Sequence, residues 1–478
     1  MNEYDVDVAI IGAGTAGMAA YREARKYTDR LALIDGGTLG TTCARVGCMP
    51  SKLLIAAADA AHHVQHTDQF GIRAALSSID GPAVMERVRS ERDRFVGFVE
   101  ESVASFDEGH LIRENAQFVD DHTLALSSGK HITARAVVIA VGSRPNIPAP
   151  FKIAGDRLIV NDDVFDWTDL PGSVAVFGAG VIGLELGQAL HRLGVKVSLF
   201  GRDHGVGPLS DPEIRAYAAK TFADEFPAHW HADTTVSLGD GGVIVNWKDG
   251  SGSGEQTFDY LLAATGRRPN TDNLRLENTS LDASAANRKV AFDDLSMQAG
   301  KGNIFIAGDA TDERPILHEA ADEGRLAGEN AARMPHAYRR ARRANLGVVF
   351  TDPQIGLAGA SFGELTERGV EFEVGEVSFE DQGRARVMGI NKGLLRVYAE
   401  KSSGKLLGAE MIGPSAEHLA HLLAWAVQSQ QTVEQVLQNP FYHPVVEEGL
   451  RSALRDVNAK LGFGPNPPLR CIDCGPGA

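Results

Sequence analysis

Cys43 and Cys48, in GTTCARVGCMPSK, are separated by four residues and are two of only 4 cysteines in the chain. So few cysteines do not make a structural disulfide lattice, and the spacing suits a redox-active couple. The pair closely follows a glycine-rich turn, which places sulfur chemistry beside a bound dinucleotide. The remaining two, Cys471 and Cys474, form a CxxC near the end of the chain on a Pro/Gly-rich tether, GFGPNPPLR. That pair suits either an electron relay or soft-metal handoff or a dispensable solvated tail.

Positioning such a couple requires a dinucleotide fold. Asp5 to Ile11 reads as a buried parallel strand, Gly12, Gly14 and Gly17 (GAGTAG) as the turn, and Met18 to Lys26 as the start of a helix. Arg30 to Ile34 is the next strand, ending at Asp35, an acid roughly 20 residues beyond the glycines, as a ribose-binding carboxylate requires. The glycines let backbone approach a pyrophosphate at the helix N-terminus. The pattern recurs: strand Ser173 to Phe177, Gly178, Gly180 and Gly183 (GAGVIG), helix Leu184 to Leu193, strand Val195 to Phe200. Two such units imply two dinucleotides and an electron path between them.

Two further apolar strands end in related turns. Ala136 to Val141 leads through Gly142 into GSRPNIP, and Tyr260 to Ala264 leads through Gly266 into TGRRPN. Each marks a return from a nucleotide unit. Asn303 to Ala307 is another buried strand, followed by Gly308 and Asp309. From about residue 350 the texture changes to strands (Val374 to Phe379, Gly393 to Ala399, Lys405 to Ile412) and then helices, an α+β pattern.

Composition bounds the rest. A chain of 478 residues exceeds one core. Its net charge of -16 argues against nucleic acid as a partner. No apolar run is long enough to span a bilayer, and MNEYDVDVAIIGAG has no basic n-region or cleavage site. A cytoplasmic location is expected, where a disulfide is more often catalytic than structural. His62 and His66, spaced to face each other on a helix, are read as helix surface rather than as metal ligands, so no metal site is expected. The run Arg339 to Arg343 is read as a solvated face, or else a dock for an acidic partner.

Taken in order, GAGTAG, TTCARVGCMPSK, GAGVIGLE, ATGRRPN, IFIAGDA, FTDPQIGLAG and HPVVEE resemble the flavoprotein disulfide reductases over about residues 5 to 460. The nearest likeness is to a divergent branch of bacterial dihydrolipoamide dehydrogenases. The resemblance implies an α/β fold with two Rossmann-like domains, for FAD and NAD(P), and a C-terminal α+β dimerisation domain. The expected boundaries are 1–148 and 271–345 for FAD, 149–270 for NAD(P), 346–461 for dimerisation and 462–478 for a flexible tail. It implies FAD contacts from the Gly12 turn, Asp35 and Asp309. Asp35 stands where many relatives carry Glu.

The resemblance also implies roles. Cys48 matches the thiol that contacts the flavin, and Cys43 the thiol that exchanges with substrate. Lys52 and Glu185 match an ion pair at the flavin edge. His443 and Glu448 match a base and its orienting carboxylate, delivered from the other subunit of a homodimer. Phe441 and Tyr442 stand where many dihydrolipoamide dehydrogenases have His-Ala, which alters the substrate mouth. At the end of the second nucleotide unit, Gly201 replaces the acid of NAD-specific relatives. Arg202 aligns with an arginine that binds a 2′-phosphate, so NADPH use is expected, with NADH left open.

The expected activity is FAD-dependent oxidoreduction between NAD(P) and a dithiol or disulfide. Dihydrolipoyl groups, free or on a lipoyl-carrying protein, are the leading substrate. The alternatives are an NADPH-dependent disulfide or mercuric-type reductase using the terminal CxxC, and a redox-sensing or metal-handling binding protein.

Overall fold

The computed structural model describes residues 4–202, 205–250, 252–282 and 289–463. Cys471, Cys474 and most of the expected tail lie outside the described residues.

The first unit is built on the strand Val6–Ile11, whose last four residues are buried. A strand covered on both faces must be apolar throughout, as VDVAII nearly is. It pairs in parallel with Leu31–Ile34 on one side, Ile10 facing Leu33, and with His131–Ile139 on the other, Ile10 facing Val138. Ile304–Ile306 adds a further parallel strand beside His131–Ile139. The helix Thr15–Ala24 begins directly after Gly14. It therefore starts earlier than Met18, because the glycine motif itself forms the first turn. The helix Gly81–Ala104, capped by the Asp80 carboxylate accepting the Ala83 N–H at 3.0 Å, also belongs to this half.

The second unit repeats the plan. Lys196–Gly201, Ser173–Phe177 and Tyr260–Ala263 lie side by side in parallel, and the helix Val181–Arg192 again starts on its glycine motif rather than at Leu184. An antiparallel sheet of Asp233–Gly239, Gly242–Asp249 and Gly252–Phe258 covers one side. The two repeated turns meet: Ser143–Pro145 pairs antiparallel with Arg267–Pro269, Arg144 facing Arg268. The chain thus leaves the first unit and returns to it through one two-stranded ribbon.

The last unit is an antiparallel sheet in the order Leu346–Val349, Gln354–Gly359, Leu406–Gly413, Leu394–Glu400, Phe372–Ser378. The helices Ala416–Gln428 and Glu447–Leu461 pack Leu419, Leu423, Leu450 and Leu454 against Val397 and Ala409 in one buried cluster. Among the described residues, no helix is long and apolar enough to cross a membrane.

Of the arginine run, Arg339, Arg340 and Arg343 keep the solvated face expected of them, and only Arg342 departs from it. Arg342 is mostly covered and pairs with Glu313, Glu319 and Glu323, while Arg339 reaches Asp293 and Arg343 reaches Asp322. The buried carboxylates of Glu319 and Glu323 draw Arg342 inward.

Candidate active site

Cys43 lies in the short helix Thr42–Val46, and Cys48 opens the helix Cys48–Gln65. Gly47 separates the two helices and folds the sulfurs toward each other. The Thr41 hydroxyl caps the first helix, accepting the Ala44 N–H at 3.3 Å. Cys43 is half-buried and Cys48 exposed, both as free thiols. Cys48 sits where the helix dipole favours an anion. Its thiol is drawn down to about 7, chiefly by a hydrogen bond from the Cys43 thiol. Desolvation by the protein packed around the still accessible sulfur opposes the shift, and the Lys52 ammonium reinforces it. Cys43, the donor in that bond, is pushed up. The two sulfurs therefore differ in kind: Cys48 is poised as the thiolate and Cys43 as its proton donor.

One turn into that helix, the Lys52 ammonium contacts both oxygens of Glu185, at 2.9 and 2.8 Å. It also lies 4.6 Å from the centre of the Phe350 ring. Glu185 is 4% exposed and accepts the Phe350 N–H at 2.9 Å as well. The expected pair is thus formed. Lys52 is held by a buried carboxylate, while roughly a third of its own side chain remains accessible.

Whether the residues present fit two dinucleotides is decided by the glycines. A Cβ on Gly12 would lie 2.3 Å from the Ala140 carbonyl oxygen, and one on Gly17 1.8 Å from that of Gly12. Gly178 and Gly183 repeat this at 2.3 Å from Ala264 and 1.9 Å from Gly178. At Gly14 and Gly180, by contrast, a Cβ would meet nothing within 4 Å. The outer glycines close the turn on itself, and the middle one faces open space at a helix N-terminus. That is the geometry a pyrophosphate fills.

Asp35 is already engaged, accepting the Ala13 N–H at 2.7 Å and the Gly37 N–H at 2.7 Å. It braces the turn, and each carboxylate oxygen retains a lone pair for a ribose hydroxyl. Asp309 accepts the Ser143 hydroxyl at 2.7 Å, and that hydroxyl accepts the Arg267 Nε–H at 2.9 Å. Gly142 and Gly266 both take positive φ at the ends of the ribbon. Arg202 is exposed just past the strand end, where Gly201 packs on Trp230.

His443 and Glu448 are also brought together. The His443 Nδ1–H donates to Glu448 at 3.0 and 3.1 Å. Glu448 is buried, and accepts the Val445 N–H at 3.2 Å. The imidazole is 64% exposed, so Nε2 is presented outward. Tyr442 beside it is 79% exposed. His62 and His66 stack at 4.0 Å, with the His66 Nδ1–H given to the His62 carbonyl.

Several residues of the site region were not singled out from the sequence: Phe350, Ser143, Gln188 and Arg192. For Arg192 a signal exists, because Asp59 and Arg192 follow Lys52 and Glu185 at one and the same interval.

Residues 6–324 match the family model described as pyridine nucleotide-disulphide oxidoreductase, and residues 346–454 match the dimerisation domain of that family. The chain is 30% identical to a dihydrolipoyl dehydrogenase of Chlamydia muridarum, over 97% of this chain and 99% of the relative. It is 31% identical to a mercuric reductase of Streptomyces lividans, over 95% and 97%. Among solved structures, LpdA from Mycobacterium tuberculosis superposes with a TM-score of 0.80 at 23% identity, covering 94% of this chain and 99% of that one. The flavoprotein disulfide reductase RclA from Escherichia coli superposes at 0.78 and 21% identity, covering 95% and 99%. These two likenesses establish the fold. With the dimerisation domain supporting a homodimer, the chain belongs to the pyridine nucleotide-disulphide oxidoreductases, flavin enzymes that use FAD and a pyridine nucleotide to act on a disulfide or sulfur group.

Proposed function

We propose that the protein is a dihydrolipoyl dehydrogenase-like enzyme, oxidising dihydrolipoamide to lipoamide with NAD(P)+ as acceptor, in the cytoplasm. The observation that carries this reading is geometric: Cys43 and Cys48 flank Gly47 at the start of the helix that carries Lys52, and Glu185 holds that ammonium at 2.8 Å. We assign residues 1–148 and 271–345 to FAD, 149–270 to NAD(P) and 346–461 to dimerisation.

In the oxidised enzyme Cys43 and Cys48 are joined. A substrate thiolate attacks the Cys43 sulfur, and Cys48 leaves as a thiolate held by Lys52. The second substrate thiol then attacks the substrate sulfur bonded to Cys43, closing lipoamide and releasing the Cys43 sulfur. His443 from the partner subunit takes the proton of the first attacking thiol, the proton of the second passes to the departing Cys43 sulfur, and Glu448 holds the imidazole and steadies its cation. The electron pair now resides on the enzyme dithiol. Bound FAD supplies the two-electron relay from that dithiol to the nicotinamide. The Gly12 turn, Asp35 and Asp309 would hold FAD, and the Gly178 turn with Arg202 would hold NAD(P). A lipoyl-carrying protein is the natural donor of the substrate group.

A second reading rests on Arg202 and the side chain missing at Gly201. A cation there without a carboxylate favours a 2′-phosphate, and NADPH-driven reduction of a disulfide runs the same chemistry backward. Steady-state kcat/KM with NADH and NADPH, against lipoamide, glutathione disulfide and Hg(II), separates the two. The first reading expects lipoamide to be turned over fastest and Cys43→Ser to abolish that turnover. Inert lipoamide with rapid turnover of another acceptor contradicts it.

A further inference from the structure

The polar side chains of the helix Val181–Arg192 do not face water. Glu185, Gln188 and Arg192 are all buried, at spacings that put them on one face. The helix is amphipathic in an unusual sense, because its inner stripe is charged and every member is satisfied. Gln188 Nε2 donates to Glu225 and to the Asp352 carbonyl, both at 2.7 Å, and its Oε1 accepts the Asp352 N–H at 2.8 Å. Arg192 donates to Glu225 at 2.6 Å, to Asp59 at 3.1 Å and to the Asp352 carboxylate at 3.0 Å. Glu185 takes Lys52 and the Phe350 N–H.

Three separate parts of the chain converge on this stripe: the helix that begins at Cys48, the helix Pro212–Glu225, and the segment 350–352 leading into the last sheet. The same helix begins on the Gly178–Gly183 turn. Two ion pairs tie it to the Cys48 helix, Lys52–Glu185 and Asp59–Arg192, each partner of the second pair lying seven positions beyond its counterpart in the first. The pairs are of opposite polarity. They lie about 10 Å apart along parallel axes. A slip of one such interval would set Lys52 against Arg192, like charge against like. One partner of each pair is buried and the other partly exposed. A buried charge is costly to desolvate and its pairing often adds little stability, and fixing register is the best-attested use of such pairs.

We propose that Arg192, supported by Gln188, is a positioning residue that fixes the register of the Val181–Arg192 helix against the Cys48 helix and so holds the Lys52–Glu185 pair beside the Cys48 sulfur. This rests on the roles given to Cys48 and Lys52 above. Arg192 touches neither sulfur nor cofactor and acts through Glu185 and Lys52. The charged and titratable groups around it are Asp59, His62, His191, Glu225 and Asp352. Those around Cys48 are Cys43, Lys52 and Glu185.

The test uses the full-length FAD enzyme with Arg192→Met, Arg192→Lys, Asp352→Asn and, as a reference for direction, Lys52→Met. Each is reduced anaerobically by one electron pair, and the long-wavelength thiolate–flavin absorbance is titrated with pH alongside kcat and KM. Arg192→Met is expected to move the midpoint up from about 7, as Lys52→Met does. It should lower kcat about tenfold or more while leaving KM for the nucleotide within about twofold. Arg192→Lys should recover most of both. A folded, FAD-loaded Arg192→Met with the wild-type midpoint and kcat overturns the proposal, even if its melting temperature falls. Should Arg192→Met fail to fold, Asp352→Asn decides, since it leaves the pairs with Asp59 and Glu225 intact. A smaller shift in the same direction supports the proposal, and no shift overturns it. A wild-type enzyme with no such absorbance sinks the underlying assignment of Cys48 instead, and the proposal with it.

Discussion

Lys52 and Glu185 stand 133 positions apart in the chain and meet at 2.8 Å, one from each nucleotide-binding unit. The contact places a cation beside the dithiol and ties it to the helix that opens at the second glycine motif. Removing the cation with Lys52→Met leaves Glu185 buried without its main counter-charge. The expected result is a loss in kcat of about a hundredfold, the scale of losing one preorganised electrostatic contact. Single-turnover reduction of the disulfide should slow by a similar factor.

The sulfur pair makes a prediction in pH. Cys48 titrates near 7 because Cys43 donates to it and Lys52 attracts it. The thiolate, and the absorbance it gives beside the flavin, should therefore rise as pH increases through about 7 and fade below it. Cys43→Ala deletes the largest cause of the shift. Its midpoint should move upward, toward an ordinary thiol. A midpoint unchanged in Cys43→Ala would show that the hydrogen bond between the sulfurs is unimportant.

The glycine turns predict separable losses. Gly14 and Gly180 face open space, so alanine at either fits the folded chain. Gly14→Ala should keep the wild-type melting temperature of the apoprotein and lose FAD affinity. Gly180→Ala should keep FAD and raise KM for the nicotinamide cofactor about tenfold or more. Gly12→Ala or Gly17→Ala would drive a methyl into backbone and should fail to fold. Thermal denaturation and flavin content read all of these.

His443 donates to a carboxylate that is almost wholly buried. His443→Gln should cut dithiol turnover about a hundredfold or more, the usual contribution of a general base. Reduction of the flavin by NAD(P)H in a stopped-flow experiment should be unchanged. Glu448→Ala also strands the Val445 N–H and should cost about 1–3 kcal/mol of stability.

Much of this was legible from the sequence, for physical reasons. The outer glycines of both turns, Gly12, Gly17, Gly178 and Gly183, are forced by backbone contacts that tolerate no side chain, so they mark their elements directly. Cys43, Cys48, His443 and Glu448 are close in sequence to their partners, and short spacing carries geometry. Lys52–Glu185 was reached only through resemblance, because its partners are far apart in sequence. The stripe of Gln188 and Arg192 was not read at all. A charged residue on a helix reads as solvent-facing until the elements that bury it are known, and these come from three distant segments. The same limit explains Arg342, which looked exposed beside three like charges and is instead drawn onto Glu319 and Glu323. Asp35 was expected to serve the ribose, and its bond to the Ala13 N–H adds a bracing role that spacing alone does not reveal.

The central claim is that flavin and the Cys43–Cys48 couple share reducing equivalents. An anaerobic titration of the purified protein with dithionite tests it most directly. The wild type should accept one electron pair into the disulfide and a further pair into the flavin, with long-wavelength absorbance appearing after the first. Cys48→Ser should accept only the flavin's pair and never show that absorbance. A wild type that takes up no more than Cys48→Ser contradicts the account.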